Sequence, residues 1–252
     1  MHPDIPQSVM DAVQQARHLL IFTGAGVSAE SGVQTFRDAL TGLWAEFDPA
    51  QLATADAFMR DPAQVWGWYE WRRALLLKVQ PNVAHRAIAR LQRVLPKVTL
   101  ITQNVDDLHE RAGSSAVLHL HGSLLAPRCF DCARPHPLAP PAGEPVQQAV
   151  QPPRCSSCGG HVRPGVVWFG EELPERALAA AFAAAQSCDC LLSIGTSGLV
   201  HPAALIPTMA SRAGATVIRV NPDPVPVRHA AEYSLQGPAG LIVPLLAGGW
   251  LD

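Results

Sequence analysis

Four cysteines in two close pairs, Cys129-x-x-Cys132 and Cys155-x-x-Cys158, carry the plainest chemistry in the chain. Thiolates at this spacing grip one side of a tetrahedral Zn²⁺ ion, and a second such pair completes the set while the loop between them varies. Four protein ligands leave no open coordination position, so the metal is expected to be structural. Cys188 and Cys190 flank a predicted buried strand and read as small apolar core residues. A second feature is Gly24-Ala25-Gly26 with Ala29, which fits G-x-G-x-x-G/A. In that pattern a strand turns into a helix and backbone N–H groups approach a pyrophosphate. A Cβ at either glycine would block the turn or the phosphate, although the same turn can be purely structural. Just beyond it, Phe36, Arg37 and Asp38 offer an aromatic, a cation and a carboxylate where a nucleotide-handling loop needs them.

Thr102-Gln103-Asn104-Val105-Asp106-Asp107 lies at the C-terminal end of a predicted strand, where doubly wound sheets bind ligands. The cluster reads equally as a solvated loop with Asp106 or Asp107 capping a helix. Gly195-Thr196-Ser197 holds the same position after a later strand and Asn221 after the next, where small donors and an amide suit ribose hydroxyls. Three histidines compete as general base. His109, beside Glu110 and Arg111 in a helical stretch, reads as a surface residue. His119 and His121 alternate on one strand and share a face. Only His121 stands at the strand's end, followed by Gly122, and an ordinary histidine pKa of about 6.5 suits proton abstraction near neutrality.

The elements that must position these groups alternate between strand and helix. An amphipathic helix is expected over 6–15, a buried parallel strand over 18–22, and a helix from about Val27. Asp61-Pro62 is a helix start, an N-cap followed by proline at the first helical position. The helix that follows carries Tyr69 and Arg72 one turn apart. A helix is expected over 82–91, then strands over 98–102 and 117–121 around a short helix after Asp106. Strands over 190–194 and 216–220, helices over 174–185 and 202–213, a short strand near Tyr233 and a terminal helix complete the pattern. Alternation of this kind implies an α/β, doubly wound, Rossmann-like parallel sheet. The 22 residues between Cys132 and Cys155 hold seven prolines, so that segment is a loop on an inserted module. The expected division is 1–38, 79–124 and 162–252 for the sheet domain. A helical insertion (39–78) and a zinc-binding module (125–161) form a small domain above its C-terminal edge.

A chain of 252 residues can bury a sizeable core. With 19 basic and 21 acidic residues, no global field recruits nucleic acid or anionic membrane. The longest apolar stretch, Ala177 to Ala185, is too short to span a bilayer. The N-terminus lacks the basic and apolar regions of a signal peptide, so a reducing cytoplasm is expected, where cysteines bind metal more often than they pair.

The stretch from His18 to Asp38 resembles the NAD-binding signature of the sirtuins, the NAD-dependent protein-lysine deacylases. TQNVDDLHERAG, LHGS, RPGVVWFGE and GTSGLVHPAA are similar to sirtuin motifs and stand in the family's order, with the paired cysteines in the right interval. Departures from the family pattern fall at Gln34, His119, Gly165 and His201. The resemblance implies that NAD is consumed as co-substrate and that His121 is the proton acceptor, working with Asn104. It implies cofactor contacts from Gly24, Ala25, Gly26, Ala29, Glu30, Thr35, Phe36, Arg37 and Trp44. Gln103, Asn104, Val105 and Asp106 would line the nicotinamide and ribose region, and Gly195, Thr196, Ser197, Asn221, Pro222, Asp223 and Ala239 the adenosine half. Val167, Trp168, Phe169, Gly170 and Glu171 would pair with the substrate backbone as a strand, with Leu199 nearby.

Ala53, together with Tyr69 and Arg72, resembles the subgroup that accepts acidic acyl groups, implying removal of succinyl and malonyl as well as acetyl. By residue type alone the same helix face packs Tyr69 and lets Arg72 reach solvent. The implied partners are acylated-lysine proteins or peptides, with no specific nucleic acid and no membrane; the sequence leaves the oligomeric state open, a monomer being the first expectation. An NAD dehydrogenase is a weaker reading: the next predicted strand starts roughly 60 residues past Asp38, with no acidic residue at the usual ribose-binding spacing. A nucleic-acid-binding zinc ribbon is weaker too, because the cysteine module carries few basic residues.

Overall fold

Ten of the fifteen residues from Gly24 to Asp38 and all of the later motifs fall within the computed structural model's described residues, which are 5–33, 48, 52–137, 145–227 and 230–248. Gln34, Thr35, Phe36, Arg37 and Trp44 lie outside them.

In chain order the helices are α1 (Gln7–Gln14), α2 (Ala55–Arg60), α3 (Pro62–Lys78), α4 (Val83–Val94), α5 (Leu108–Arg111), α6 (Glu175–Ser187), α7 (Leu205–Arg212) and α8 (Ala239–Leu246). The strands are β1 (Leu19–Thr23), β2 (Val98–Thr102), β3 (Leu118–His119), β4 (Gly122–Cys129), β5 (Val162–Val166), β6 (Cys190–Ile194), β7 (Thr216–Asn221) and β8 (Glu232–Gln236).

Every residue of β1 and of β6 is buried. Strands buried along their whole length need cover on both faces, and a parallel sheet between helix layers provides it. Six strands pair in the order β3-β2-β1-β6-β7-β8, all parallel. Because side chains alternate across a strand, Leu19 and Ile21 face one layer and Leu20 and Phe22 the other. The first layer is built from Val9 and Val13 of α1, Ala84, Ile88 and Leu91 of α4, and Ile242 and Val243 of α8. The second comes from Ala181 and Ala185 of α6 and Ile206 and Ala210 of α7. Helix starts follow their capping residues: Asp61 accepts from Gln64 N at 2.9 Å ahead of α3, and Asn82 forms a capping box with His85 ahead of α4.

A separate apolar core gathers Phe58, Trp66, Trp68 and Tyr69 of α2 and α3 against Leu124, Val162, Val166 and Trp168 on and beside the antiparallel β4–β5 pair. Among the described residues no helix is long and apolar enough to cross a membrane.

Three local expectations are corrected. The helix expected from Val27 is two short 3₁₀ turns, Ala25–Val27 and Ala29–Ser31. Gly24 N bonds to Ile194 O at 2.9 Å, Gly26 N to Gly195 O at 3.0 Å, and Glu30 accepts from Gly240 N, so tertiary partners rather than helical bonds dictate the path. The strand expected over 117–121 stops at His119, because Gly122 at φ 73° turns the chain into β4. His109, expected at the surface, is 1% exposed: α5 is so short that its inner side is pressed against β1 and α4.

Candidate active site

The sheet order reverses at β1, whose neighbours β2 and β6 lead the chain to opposite edges. Doubly wound sheets open a crevice at such a point, outside the C-terminal ends of the strands. Here the loops after β1 and β6 interlock. A Cβ on Gly26 would lie 2.6 Å from Gly195 Cα, one on Gly24 2.7 Å from Gly195 O, and Gly195 itself sits at φ 63°. The glycines are thus required by backbone-on-backbone packing, whatever a ligand demands in addition. Ala25 and Ser197 are exposed at the rim. Behind them Ser193 Oγ and Thr196 Oγ1 are 2.9 Å apart, and Asn221 Nδ2 donates to Thr196 O at 3.2 Å, with Pro222 and Asp223 exposed beyond. Glu30 accepts from Gly240 N, beside Ala239 at the start of α8, where the helix dipole favours a carboxylate.

Beneath the crevice runs a buried polar network. Asn104 Nδ2 donates to Ser28 Oγ at 3.0 Å, and Ser28 Oγ donates to Asp106 Oδ2 at 3.0 Å. This fixes the amide of Asn104 with Nδ2 toward Ser28 and its Oδ1 turned away. Burial pushes the Asp106 carboxyl up, against hydrogen bonds from Leu108 N and Ser28 that stabilise the carboxylate. A second chain backs the first. Thr23 Oγ1 donates to Thr102 Oγ1 at 2.9 Å, so His109 Nε2, 2.9 Å from Thr23 Oγ1, is the donor there. The His109 and His85 rings meet at 4.9 Å, and His85 Nε2 lies 3.4 Å from Ser28 Oγ. Burial holds His85 down to about 4 and His109 to about 3, so both are neutral.

His121 and His119 both reach back to the loop after β2, with different consequences. His121 Nδ1 is 2.9 Å from Gln103 O, and a carbonyl only accepts, so Nδ1 carries the proton and Nε2 is the basic nitrogen. Burial lowers the His121 pKa, partly offset by that carbonyl. His119 has both nitrogens engaged, Nδ1 with Asn104 O at 3.2 Å and Nε2 with Glu110 at 2.7 Å. Both partners are acceptors and favour the protonated ring: burial opposes the charge, and the Glu110 carboxylate more than offsets it, raising the pKa.

On the side of α3, a cavity of about 290 Å³ is lined by Val33, Arg72, Leu76, Val105, Asp106 and Leu124, among others. It brings Arg72 of the helix and Asp106 of the strand-end loop to one space. The Arg72 guanidinium lies 4.9 Å from the Trp68 ring centre and 5.9 Å from that of Tyr69. Burial lowers the Arg72 pKa. Tyr69 and Ala53 are buried beside this space and do not line it. Tyr69 Oη accepts from Trp168 Nε1 at 3.1 Å, and burial pushes its hydroxyl up to about 12, so it stays a neutral phenol. Val167 to Glu171 is tied down inside the chain. Val167 N donates to His121 O (2.8 Å), Trp168 N to the Glu171 carboxylate (2.8 Å) and Phe169 N to Ala53 O (2.9 Å). A peptide strand laid along this run would therefore meet carbonyls rather than those N–H groups. Phe169 and Leu199 present exposed side chains.

The four paired cysteines converge, their sulfurs all within 4.8 Å of one another. Cys129 and Cys158 Sγ are 3.4 Å apart and Cys132 and Cys155 Sγ 3.8 Å, close to the edge of about 3.8 Å that a zinc tetrahedron with Zn–S of about 2.3 Å requires. Backbone N–H groups of Ser157 and Cys158 pull the Cys155 thiol down, favouring the thiolate a metal takes, while at Cys158 the Gly160 N–H is outweighed by the neighbouring Cys129 and Cys132 thiols, which push it up. The donor set therefore fits Zn²⁺, held by Cys129, Cys132, Cys155 and Cys158.

The sequence from residue 24 to residue 202 matches the model of the Sir2 family. The chain belongs to the Sir2 family. It is 62% identical over 242 residues to NAD-dependent protein deacylase 1 of Pseudomonas aeruginosa, covering 95% of this chain and 97% of the relative. It is 53% identical to the NAD-dependent protein deacylase of Methylococcus capsulatus, covering 96% of each. Its fold is similar to a crystal structure of a Sir2 homolog–NAD complex, with a TM-score of 0.86, 42% identity, and coverage of 98% of this chain and 94% of that one. It is also similar to the structure of Sir2Af2 bound to a myristoylated histone peptide, with a TM-score of 0.73, 34% identity, and coverage of 96% and 94%.

Three residues of this Sir2-family site escaped the reading by motif, Thr23, Ser28 and His85, and a fourth, His109, was read as a surface residue. Ser28 stood inside the glycine motif as an unremarked x. His85 lay inside an amphipathic helix, and its only local signal was its place three residues after Asn82.

Proposed function

We propose that this chain is an NAD-dependent protein-lysine deacylase that removes acetyl, succinyl and malonyl groups. The observation that carries the reading is the pair of histidines at the end of β3. His121 keeps Nε2 basic and faces the crevice loop, while both nitrogens of His119 are committed to acceptors. His121 is therefore the proton acceptor, and its lowered pKa keeps it neutral near pH 7.

The residues present fit NAD. Ala25 backs an exposed rim, Thr196, Ser197 and Asn221 offer small polar groups at the ends of β6 and β7, and Asn104 and Asp106 stand ordered below. When bound, NAD supplies the ribose carbon that receives the acyl oxygen as nicotinamide leaves, and the hydroxyl whose proton must be removed. One water is consumed as the acyl carbon–nitrogen bond breaks, and the products are free lysine, nicotinamide and an O-acyl-ADP-ribose. Asn104, its amide locked by Ser28, orients the ribose, and His121 Nε2 takes the proton. Arg72, lining the cavity, would receive the carboxylate of a succinyl or malonyl chain through a two-pronged pairing, with the Tyr69 ring 5.9 Å from its guanidinium.

The zinc set is closed and holds the β4–β5 end in shape rather than reacting. We take 39–78 and 125–161 as the small domain; the separate core around Trp68 runs past these bounds to Leu124, Val162, Val166 and Trp168. The free state of all six cysteines suits a reducing cytoplasm. Incubation with NAD and a panel of acetyl-, succinyl- and malonyl-lysine peptides, read by mass spectrometry, tests the proposal. Release of nicotinamide together with deacylated peptide is expected, and reduction of NAD without peptide change would overturn it.

A further inference from the structure

Arg163 is buried, with only 4% of its surface exposed. Removing an arginine from water is costly unless its fork is filled, and here every prong has a use. Nη1 and Nη2 pair with the two oxygens of Glu171, the second at 2.9 Å. Nη2 also donates to Val166 O at 3.0 Å and Nε to Pro164 O at 3.3 Å. The flat guanidinium lies 3.5 Å from the centre of the Trp168 ring, a close cation–π contact. Glu171 Oε2 accepts from Trp168 N as well, and Glu171 N donates to Trp168 O at 3.0 Å. The run from Val166 to Glu171 is thus folded around one buried guanidinium. The same run sends Val167 N to His121 O and Phe169 N to Ala53 O, and Trp168 Nε1 reaches Tyr69 Oη.

Arg163 stands on β5 opposite Arg128, one position from the Cys129–Val162 pair. Its backbone is therefore set by the zinc-binding hairpin, while its side chain sets the run beyond.

We propose that Arg163, through its ion pair with Glu171 and its stacking on Trp168, is the positioning residue for the peptide-binding run 167–171 and couples the cysteine hairpin to substrate binding. This reassigns Glu171. Its carboxylate faces inward to Arg163 and Trp168 N, so it shapes the seat rather than touching peptide. The proposal rests on the reading above that residues 167–171 bind the acyl-lysine peptide. A planar fork is needed because one point charge cannot pair two carboxylate oxygens, meet two carbonyls and stack on an indole together.

The test uses the full zinc-loaded chain and steady-state deacetylation of an acetyl-lysine peptide, measuring KM for peptide and for NAD separately, with thermal unfolding and zinc content alongside. Arg163→Lys and Glu171→Gln should each raise the peptide KM on the order of tenfold, as a small misplacement of a binding strand does. The NAD KM should move far less. Arg163→Gln should do at least as much; if it fails to fold, the milder Glu171→Gln carries the test, because it keeps the shape and the acceptor for Trp168 N. Phe169→Ala, at an exposed side chain of the same run, separates the two levels of inference. If Phe169→Ala raises the peptide KM while Glu171→Gln and Arg163→Lys do not, the positioning role is wrong and the peptide seat stands. If none of the three changes it, the seat is wrong and the role falls with it. A drop in melting temperature with both KM values moving together would make Arg163 merely structural and also overturn the proposal.

Discussion

His121 Nδ1 lies 2.9 Å from the carbonyl oxygen of Gln103, and that contact decides which nitrogen of the ring is basic. A carbonyl cannot donate, so the proton stays on Nδ1 and the Nε2 lone pair is available. His119, two residues earlier, has neither nitrogen to spare.

His121→Ala should therefore bind NAD nearly normally yet lose about 10² to 10⁴ in deacylation rate, the usual worth of one proton-transfer group. His119→Ala should lose far less. Because burial lowers the His121 pKa, the base is neutral above a value under 6.5, so the acid limb of the kcat/KM profile should fall below pH 6.5. An acid limb well above 6.5, or near wild-type turnover in His121→Ala, would move the role elsewhere.

The buried pair His85 and His109 makes stability depend on pH. Their folded values, about 4 and about 3, lie below the value of about 6.5 expected when unfolded. As pH falls through 6.5 the unfolded chain takes up protons that the folded chain refuses. Their contribution is thus fully present above 6.5 and is lost progressively toward pH 4. Urea midpoints measured from pH 7 down to 4 should decline, and His109→Gln, which cannot titrate but can still donate to Thr23, should decline less steeply. Parallel curves would count against this account.

Cys155→Ala should remove a ligand and with it the zinc, since a closed four-thiolate site contributes its binding energy to folding. Zinc content by atomic absorption should drop from one ion per chain toward none, with a lower melting temperature. Wild-type protein that is active and metal-free would refute the structural site.

Arg72→Met tests acyl choice. Stranding the carboxylate of a succinyl group beside the cavity costs roughly 2–5 kcal/mol, so desuccinylation should slow on the order of 10²-fold or more. Deacetylation strands no charge and should fall much less. An unchanged ratio of the two kcat/KM values would show that Arg72 meets no acyl carboxylate.

What the sequence determined by itself was whatever depends on neighbours in the chain. The two cysteine pairs, the largely apolar runs of β1 and β6, the Asp61-Pro62 helix start and the place of His121 just past a strand are local patterns. Residue type and spacing are enough to read them. Tertiary structure decided the rest, because its partners lie far apart in sequence. Gly26 needs its missing Cβ on account of Gly195, and His109 is buried because Thr23 and His85 close over it. Glu171 turns inward because the chain bends back after β5 and brings its carboxylate to Arg163, which lies against Trp168. A motif says that a glutamate or a histidine is there; only packing, which removes water and fixes the one available acceptor, says what its proton or charge can do.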